Sequence, residues 1–228
     1  DHTPIQHNFG PEKLGFTSTE ATFTITNNGT AALGITSVAV NDTTNFTVTS
    51  QPSSSIGVGG SSSFTVVYNP TAAGTNYTYI TILNDDPTAT EVSYQFEIQG
   101  TCTVPDIVLS AAADGGSYTY WTANPVTVGT PDSQDITISN IGGAVLNITG
   151  VSLSGVNASE FSLNLAAMDT TVAATTGTTT FGLTFNPATA GSKTAVVTVY
   201  SDDPDLESTY TVNISATANG STVGTSVD

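Results

Sequence analysis

Acidic and aromatic residues carry most of the chemistry this sequence could do. Asp85-Asp86 and Asp202-Asp203-Asp205 set hard oxygen ligands close together, and calcium takes six to eight of these. Neither run has the spacing of a known calcium loop. In both, Asp-Asp precedes Pro, which marks a turn whose Asp side chains bond their own backbone, so a turn-forming reading stands beside the metal one. Tyr118, Tyr120 and Trp121 sit in a Gly- and Ala-rich stretch. Such rings either form a platform for a sugar or a subunit contact, or fold back over their own domain. The two histidines, His2 and His7, are expected in a frayed N-terminal tail, which cannot hold a base against a nucleophile. No GxGxxG, Walker, HExxH or paired CxxC pattern occurs. No residue is therefore assigned a catalytic role, and the chain reads as a non-enzyme.

Composition says what must position these residues. Of the 228 residues 38% are hydrophobic, enough for a core, but only 9% are charged. Thr, Ser, Asn and Gly make up the surface, and β-branched Thr favours pleated chain over helix. Lys and Arg total 2 against 19 Asp and Glu, for a net charge of −17. Nucleic-acid binding rests on Lys and Arg displacing counterions from phosphates, so it is excluded as a function class, and anionic membrane surfaces are disfavoured for the same reason. No apolar run is long enough to insert in a membrane as a helix. One cysteine, Cys102, rules out an internal disulfide. The chain starts without Met or a basic-then-apolar leader, and so reads as a processed chain or an excised piece.

An internal repeat organises the whole sequence. FTITNNG at 23–29 matches ITISNIG at 136–142, and AALGIT at 31–36 matches AVLNIT at 144–149. FTVVYNPTAAG at 64–74 matches FGLTFNPATAG at 181–191, NDDP at 84–87 matches SDDP at 201–204, and YQFEIQGT ending at 101 matches YTVNISAT ending at 217. Each block alternates apolar and polar residues, the mark of a half-buried strand. The inward set is Phe23, Ile25, Phe64, Val66, Tyr68, Ile80, Ile82, Tyr94, Phe96 and Ile98 in the first copy. In the second it is Ile136, Ile138, Phe181, Leu183, Phe185, Val197, Val199, Tyr210, Val212 and Ile214. Pro70 and Pro187 fix turns, and Gly74 and Gly191 are placed to take φ > 0 before the next strand. No convincing helix is expected; 157–161 is at most one helical turn. The reading is all-β: two tandem immunoglobulin-like β-sandwiches at 1–101 and 106–219, a linker at 102–105 and a C-terminal tail at 220–228.

The order of these motifs resembles the ASH (MSP-like) immunoglobulin superfamily, and within it the bacterial repeats called choice-of-anchor D. Phe9-Gly10, Gly15, Leu33, Asn69-Pro70, Ala73-Gly74, Asp86-Pro87 and Gly100-Thr101 carry the resemblance in the first copy. Gly129, Leu146, Phe161, Asn186-Pro187, Ala190-Gly191, Asp203-Pro204 and Ala216-Thr217 carry it in the second. The resemblance implies sandwiches strung in tandem in secreted or surface proteins, where they act as spacers, stalks or adhesive modules. Apart from calcium, no cofactor is expected. Two departures stand out. The second copy inserts an aromatic stretch, 111–124, with nothing comparable in the first. The first copy opens abruptly, with only Pro4-Ile5 in place of the strand at 105–109.

An extracellular or cell-surface structural module, associating with protein partners or with itself, is the leading expectation. A carbohydrate-binding module that takes a surface glycan on the aromatic insertion, and a calcium-dependent rigid spacer, are the alternatives. The late start of the first copy suggests an uncovered sheet edge, and the tail carries Val223 and Val227 four apart, on one face of an extended strand. A tail from one subunit completing the first domain of the next would be head-to-tail and would build filaments.

Overall fold

A computed structural model describes residues 5–87, 92–204 and 208–220. The chain divides into two compact units, 1–103 and 104–228. Each is a sandwich of two sheets around its own apolar core.

In unit 1 the strands are β1 His7–Lys13, β2 Ala21–Thr26, β3 Leu33–Val40, β4 Phe46–Ser50, β5 Ser55–Ile56, β6 Ser61–Tyr68, β7 Gly74–Asn84 and β8 Ser93–Thr103. They form a five-stranded sheet in the order β1-β8-β7-β3-β5 and a three-stranded sheet, β2-β6-β4. Strand β8 runs through Cys102 and Thr103, into the segment expected as linker. Alternation does the folding work: Phe64, Val66 and Tyr68 of β6 face Ile80, Ile82, Phe96 and Ile98 across the sandwich, and all are buried. Gly74 takes φ 119° and Gly191 φ 111° where each long strand begins, backbone that a side chain would strain. Tyr94 departs from the expected inward set, being 53% exposed.

Unit 2 contains β9 Ile107–Leu109, β10 Ser117–Tyr118, α1 Tyr120–Ala123, β11 Val126–Thr127, β12 Asp132–Asn140, β13 Leu146–Ser154 and β14 Phe161–Asn164. It continues with β15 Thr171–Val172, β16 Gly177–Phe185, β17 Gly191–Ser201 and β18 Thr209–Asn219. One sheet runs β10-β18-β17-β13-β15, with β11 also on β18, and the other runs β14-β16-β12-β9. A single 3-10 turn, Ala158–Glu160, fills the stretch read as at most one helical turn. The helical turn α1 was not foreseen.

The two units share one register. Phe23 of β2 opposes Phe64 just as Ile136 of β12 opposes Phe181. The insertion at 111–124 has a counterpart after all. Strand β1 pairs parallel to β8, with His7 opposite Ile98 and Glu12 opposite Cys102. In the same repeat positions Tyr118 stands opposite Ile214 and Val126 opposite Ala218. So β10-α1-β11 is β1 opened by a helical turn, and Gly15 and Gly129, both at φ 79°, end the two versions alike.

Candidate functional site

The units differ most at one sheet edge. In unit 2 the short strand β9 closes it, running antiparallel to β12 with Leu109 opposite Ile138 and Ile107 opposite Asn140. Side chains two apart share a face of a strand, so Ile107 and Leu109 both enter the core and are fully buried. The backbone is held at both ends: Ile141 N–H donates to the Asp106 carbonyl and Ser110 N–H to the Thr137 carbonyl, each at 2.9 Å. Ile107 N–H donates to Asp203 Oδ2 at 2.9 Å, and Asp106 N–H to Asn140 Oδ1 at 3.2 Å. A Cβ on Gly142 would lie 2.4 Å from both the Asp106 nitrogen and the Val104 carbonyl oxygen, so only glycine lets the chain pass there.

Unit 1 has this receiving apparatus without the strand. Asn27, Gly29 and Asp86 stand at the repeat positions of Asn140, Gly142 and Asp203, and the shared register puts the Thr24 carbonyl and the Asn28 N–H where Thr137 and Ile141 grip β9. Among the described residues no strand pairs with the outer edge of β2. A groove of about 560 Å³ lies there instead, its apolar wall made by Phe23, Ile25, Leu33, Ile35, Tyr94 and Phe96. Phe23, Ile25 and Leu33 are half-buried where Ile136, Ile138 and Leu146 are buried; Tyr94 is 53% exposed where Tyr210 is 2%. Ile5, offered by the sequence in the place of β9, is 42% exposed. Pro4 lies outside the described residues.

Asn27 is the residue that sequence reasoning missed. It is buried, and its amide donates to the carbonyls of Ala31 and Ile56 at 2.8 Å while its Oδ1 accepts from Gly29 N–H. Asn140 makes the matching bonds to Ala144, Val172 and Gly142, then adds Asp106. The signal was the Asn-x-Gly common to NNG and NIG, a pattern that tight turns also use.

The aromatic candidates separate. Trp121 is 0% exposed, donates its indole N–H to Asp132 Oδ2 at 2.7 Å, and packs 6.1 Å from Phe161 and 5.6 Å from Phe185. It is therefore a core residue, not a face for a sugar. Phe9 holds the same place in unit 1, 6.0 Å from Phe46 and 6.1 Å from Tyr68. Tyr118 and Tyr120 lie stacked at 6.3 Å and meet Trp121 by their edges. Tyr118 is half-buried and Tyr120 38% exposed. Burial raises the Tyr118 hydroxyl above its ordinary pKa, with the neighbouring Tyr120 and Asp132 adding to the shift.

The acidic turns act as clasps. Asp85 Oδ1 accepts from Gly34 N–H at 2.7 Å, and Asp202 accepts from Asn147 N–H at 2.8 Å and from its side-chain amide at 2.6 Å. Asp86 and Asp203 turn back on the chain, their N–H groups donating to Asn84 Oδ1 and Ser201 Oγ. Among the described residues no three His, Cys, Asp or Glu side chains gather as a metal cluster; Asp205 lies outside them, as do His2, Val223 and Val227. His7 is not in a frayed tail. It begins β1, with its ring edge-on to Phe9 at 4.6 Å and to Phe23 at 5.7 Å. Cys102 is buried, which pushes its thiol pKa up and keeps it protonated.

A family model described as "Protein of unknown function (DUF1573)" matches residues 4–102. No curated protein matches the chain. Among solved structures, the chain is similar to a protein of unknown function from Porphyromonas gingivalis W83, at 13% identity and a TM-score of 0.38 over 94% of each chain. It is also similar to an ASH/PapD-like domain of human CEP192, at 12% identity and a TM-score of 0.35 over 52% of this chain and 89% of that one. A third likeness is to the secreted serine protease VesC of Vibrio cholerae, at 15% identity and a TM-score of 0.34 over 78% of this chain and 45% of that one. Likenesses this distant carry no function across.

Proposed function

We propose that the chain is a non-enzymatic structural and adhesive module of an extracellular surface protein, stalk or filament, joined to its neighbours by strand addition at the β2 edge of unit 1. The observation that carries this reading is the difference between two otherwise matching sandwiches: unit 2 covers its edge with β9, and among the described residues unit 1 has no strand on the same edge, which lies beside an apolar groove. Open edges are templates for another chain, and natural sandwiches ordinarily blunt them. The β2 edge presents Thr22, Thr24 and Thr26 with no charge or proline. The rest of the chemistry supports a structural role, since Trp121 is spent on the core and the paired aspartates on turns. An acid-rich composition suits a protein that must stay soluble outside the cell.

The most specific form of the proposal is head-to-tail assembly, in which residues 220–228 of one copy occupy the open edge of the next. Sedimentation velocity over a range of concentrations, with electron microscopy, tests it on the intact chain and on 1–219. The intact chain is expected to form concentration-dependent polymers that the truncation abolishes. A monomer at every concentration, or polymers unchanged by truncation, would remove this form of assembly.

A further inference from the structure

We infer that the groove of unit 1 is a receptor for an extended strand donated by a separate chain, which runs antiparallel to β2 and places two branched apolar side chains at alternate positions. This rests on the reading of the β2 edge as the working surface and specifies the kind of partner that fits it. The template is internal. Unit 2 shows the occupant on the matching face, with Ile107 and Leu109 two apart, both buried, and bonded antiparallel to β12.

Unit 1 keeps three features that make sense around such a strand. Gly29 holds the position at which Gly142 clears space for residues 104–106; in unit 1 a Cβ there would meet only the side chain of Asn27, at 3.1 Å. Asn27 keeps the acceptor that in Asn140 takes the Asp106 N–H. Asp86, at the position that binds Ile107 N–H in unit 2, lines the groove. Phe23, Ile25, Leu33 and Tyr94 gain exposure relative to their counterparts, whereas the other inward residues of β6, β7 and β8 stay buried.

The chain entering unit 1 is committed elsewhere. Gln6 N–H donates to the Glu97 carbonyl at 2.9 Å and His7 pairs with Ile98, which ties both residues to β8 in the opposite sheet. Ser117 and Tyr118 of unit 2 are tied to β18 in the same way, and the strand at β2 is assigned to a separate chain. Two adjacent inward positions must both be filled, so a strand with an apolar residue at only one of them leaves part of the groove empty and loses those contacts.

The test titrates the intact 228-residue chain, 15N-labelled, with an end-blocked synthetic peptide of residues 104–110, VPDIVLS. Amide shifts are expected along β2 and at Asn28, with slowed exchange of the Asn28 amide and cross-strand contacts between Leu109 of the peptide and Ile25. A peptide carrying Ile107→Asp and Leu109→Asp is expected to bind at least tenfold more weakly, as is one N-methylated at Ser110, which cannot donate to the Thr24 carbonyl. A peptide of residues 220–228, which carries Val223, Thr225 and Val227 at alternate positions, is expected to compete with 104–110 for the same groove, more weakly because Thr225 takes one of the inward positions. Ile25→Asp in the chain, at a half-buried position, is expected to abolish binding with the fold retained.

Absence of binding at millimolar peptide overturns the inference. So do shifts that map to another edge, or equal affinity for the doubly substituted peptide. Binding by a chain that sediments as a monomer keeps the receptor and removes end-to-end assembly. Polymers from a chain that ignores the peptide do the reverse.

Discussion

Units 1 and 2 are built from the same blocks in the same register, yet one edge is closed by a strand and, among the described residues, the other is not. In unit 2 a three-residue strand, β9, buries two large side chains and takes up backbone groups of β12. In unit 1 the glycine, the asparagine and the second aspartate of the turn persist with no such strand among the described residues. The difference teaches that closing a sandwich edge is a separable feature. The receiving positions belong to the repeat and are kept in both units. The second contrast, β1 against β10-α1-β11, shows the opposite: sequences with almost no letters in common occupy one path because each puts one large ring, Phe9 or Trp121, on the same aromatic pair.

The largest effects should come where the units agree. Phe64→Ala and Phe181→Ala each empty a fully buried position and should each cost about 3–5 kcal/mol. Differential scanning calorimetry should show the loss mainly in the transition of the unit that carries the change. Equal loss in both transitions would mean that the two sandwiches unfold as one.

Next comes the place where they differ. Ile107→Ala should cost unit 2 about 2–5 kcal/mol, because it leaves a cavity under β9. Ile25→Ala, on the half-buried wall of the groove, should cost unit 1 only about 1–2 kcal/mol. Urea titration of both variants measures this directly. A cost for Ile25→Ala as large as that for Ile107→Ala would show that the groove is already covered in solution.

Much of the sandwich was legible because period-2 alternation reports which face of a strand is buried. Phe181, Leu183 and Phe185 are read correctly for that reason. Tyr94 was misread because alternation gives the face of a strand but not whether anything lies over it; its counterpart Tyr210 is covered, and bonds the Ala112 carbonyl through its hydroxyl. Trp121 was open to both readings, a binding face or a ring folded back over its own domain, and its burial settles it as the second. Its equivalence to Phe9 is a matter of register with β8 and β18, a long-range pairing that local pattern does not encode. The open edge was legible as a missing strand, but Asn27 and Gly29 were not, since Asn-x-Gly is ordinary turn chemistry until a strand is seen to need it.

A smaller effect separates the units at Gly100. A Cβ there would lie 2.5 Å from the Tyr68 ring, which is fully buried and held by its hydroxyl bond to Asn76 Oδ1 at 2.7 Å. Burial also pushes the Tyr68 hydroxyl pKa up to about 12. Unit 2 has Ala216 and Phe185 at these positions, with no hydroxyl to pin the ring. Gly100→Ala should cost unit 1 about 1–3 kcal/mol by overpacking, measured as a fall in its unfolding midpoint. No cost would mean that Tyr68 can shift as freely as Phe185.

The smallest effect is electrostatic and belongs to unit 2 alone. Glu160 accepts from Lys193 Nζ at 2.7 Å and from the Ala188 N–H at 3.0 Å, and the lysine also donates to Thr189 Oγ1. The lysine hydrogen bond is the main cause holding the Glu160 carboxyl below its ordinary pKa; partial burial opposes it, and the Ala188 N–H and the lysine charge assist. A carboxylate whose pKa falls on folding stabilises the fold in full above its unfolded value, about 4.3, and that contribution is lost as pH falls through the lower folded value. Unit 1 has uncharged Asn45 in place of Glu160, its Oδ1 accepting from the Thr71 N–H and hydroxyl. The unit 2 midpoint should therefore drop more steeply than in Glu160→Gln between pH 5 and pH 3 (a range taken from the usual carboxylate values), with the variant already lower at pH 7. The unit 1 midpoint should be the same in both proteins across that range. Parallel acid limbs for unit 2 in the two proteins would show that the pair holds its geometry without contributing to stability.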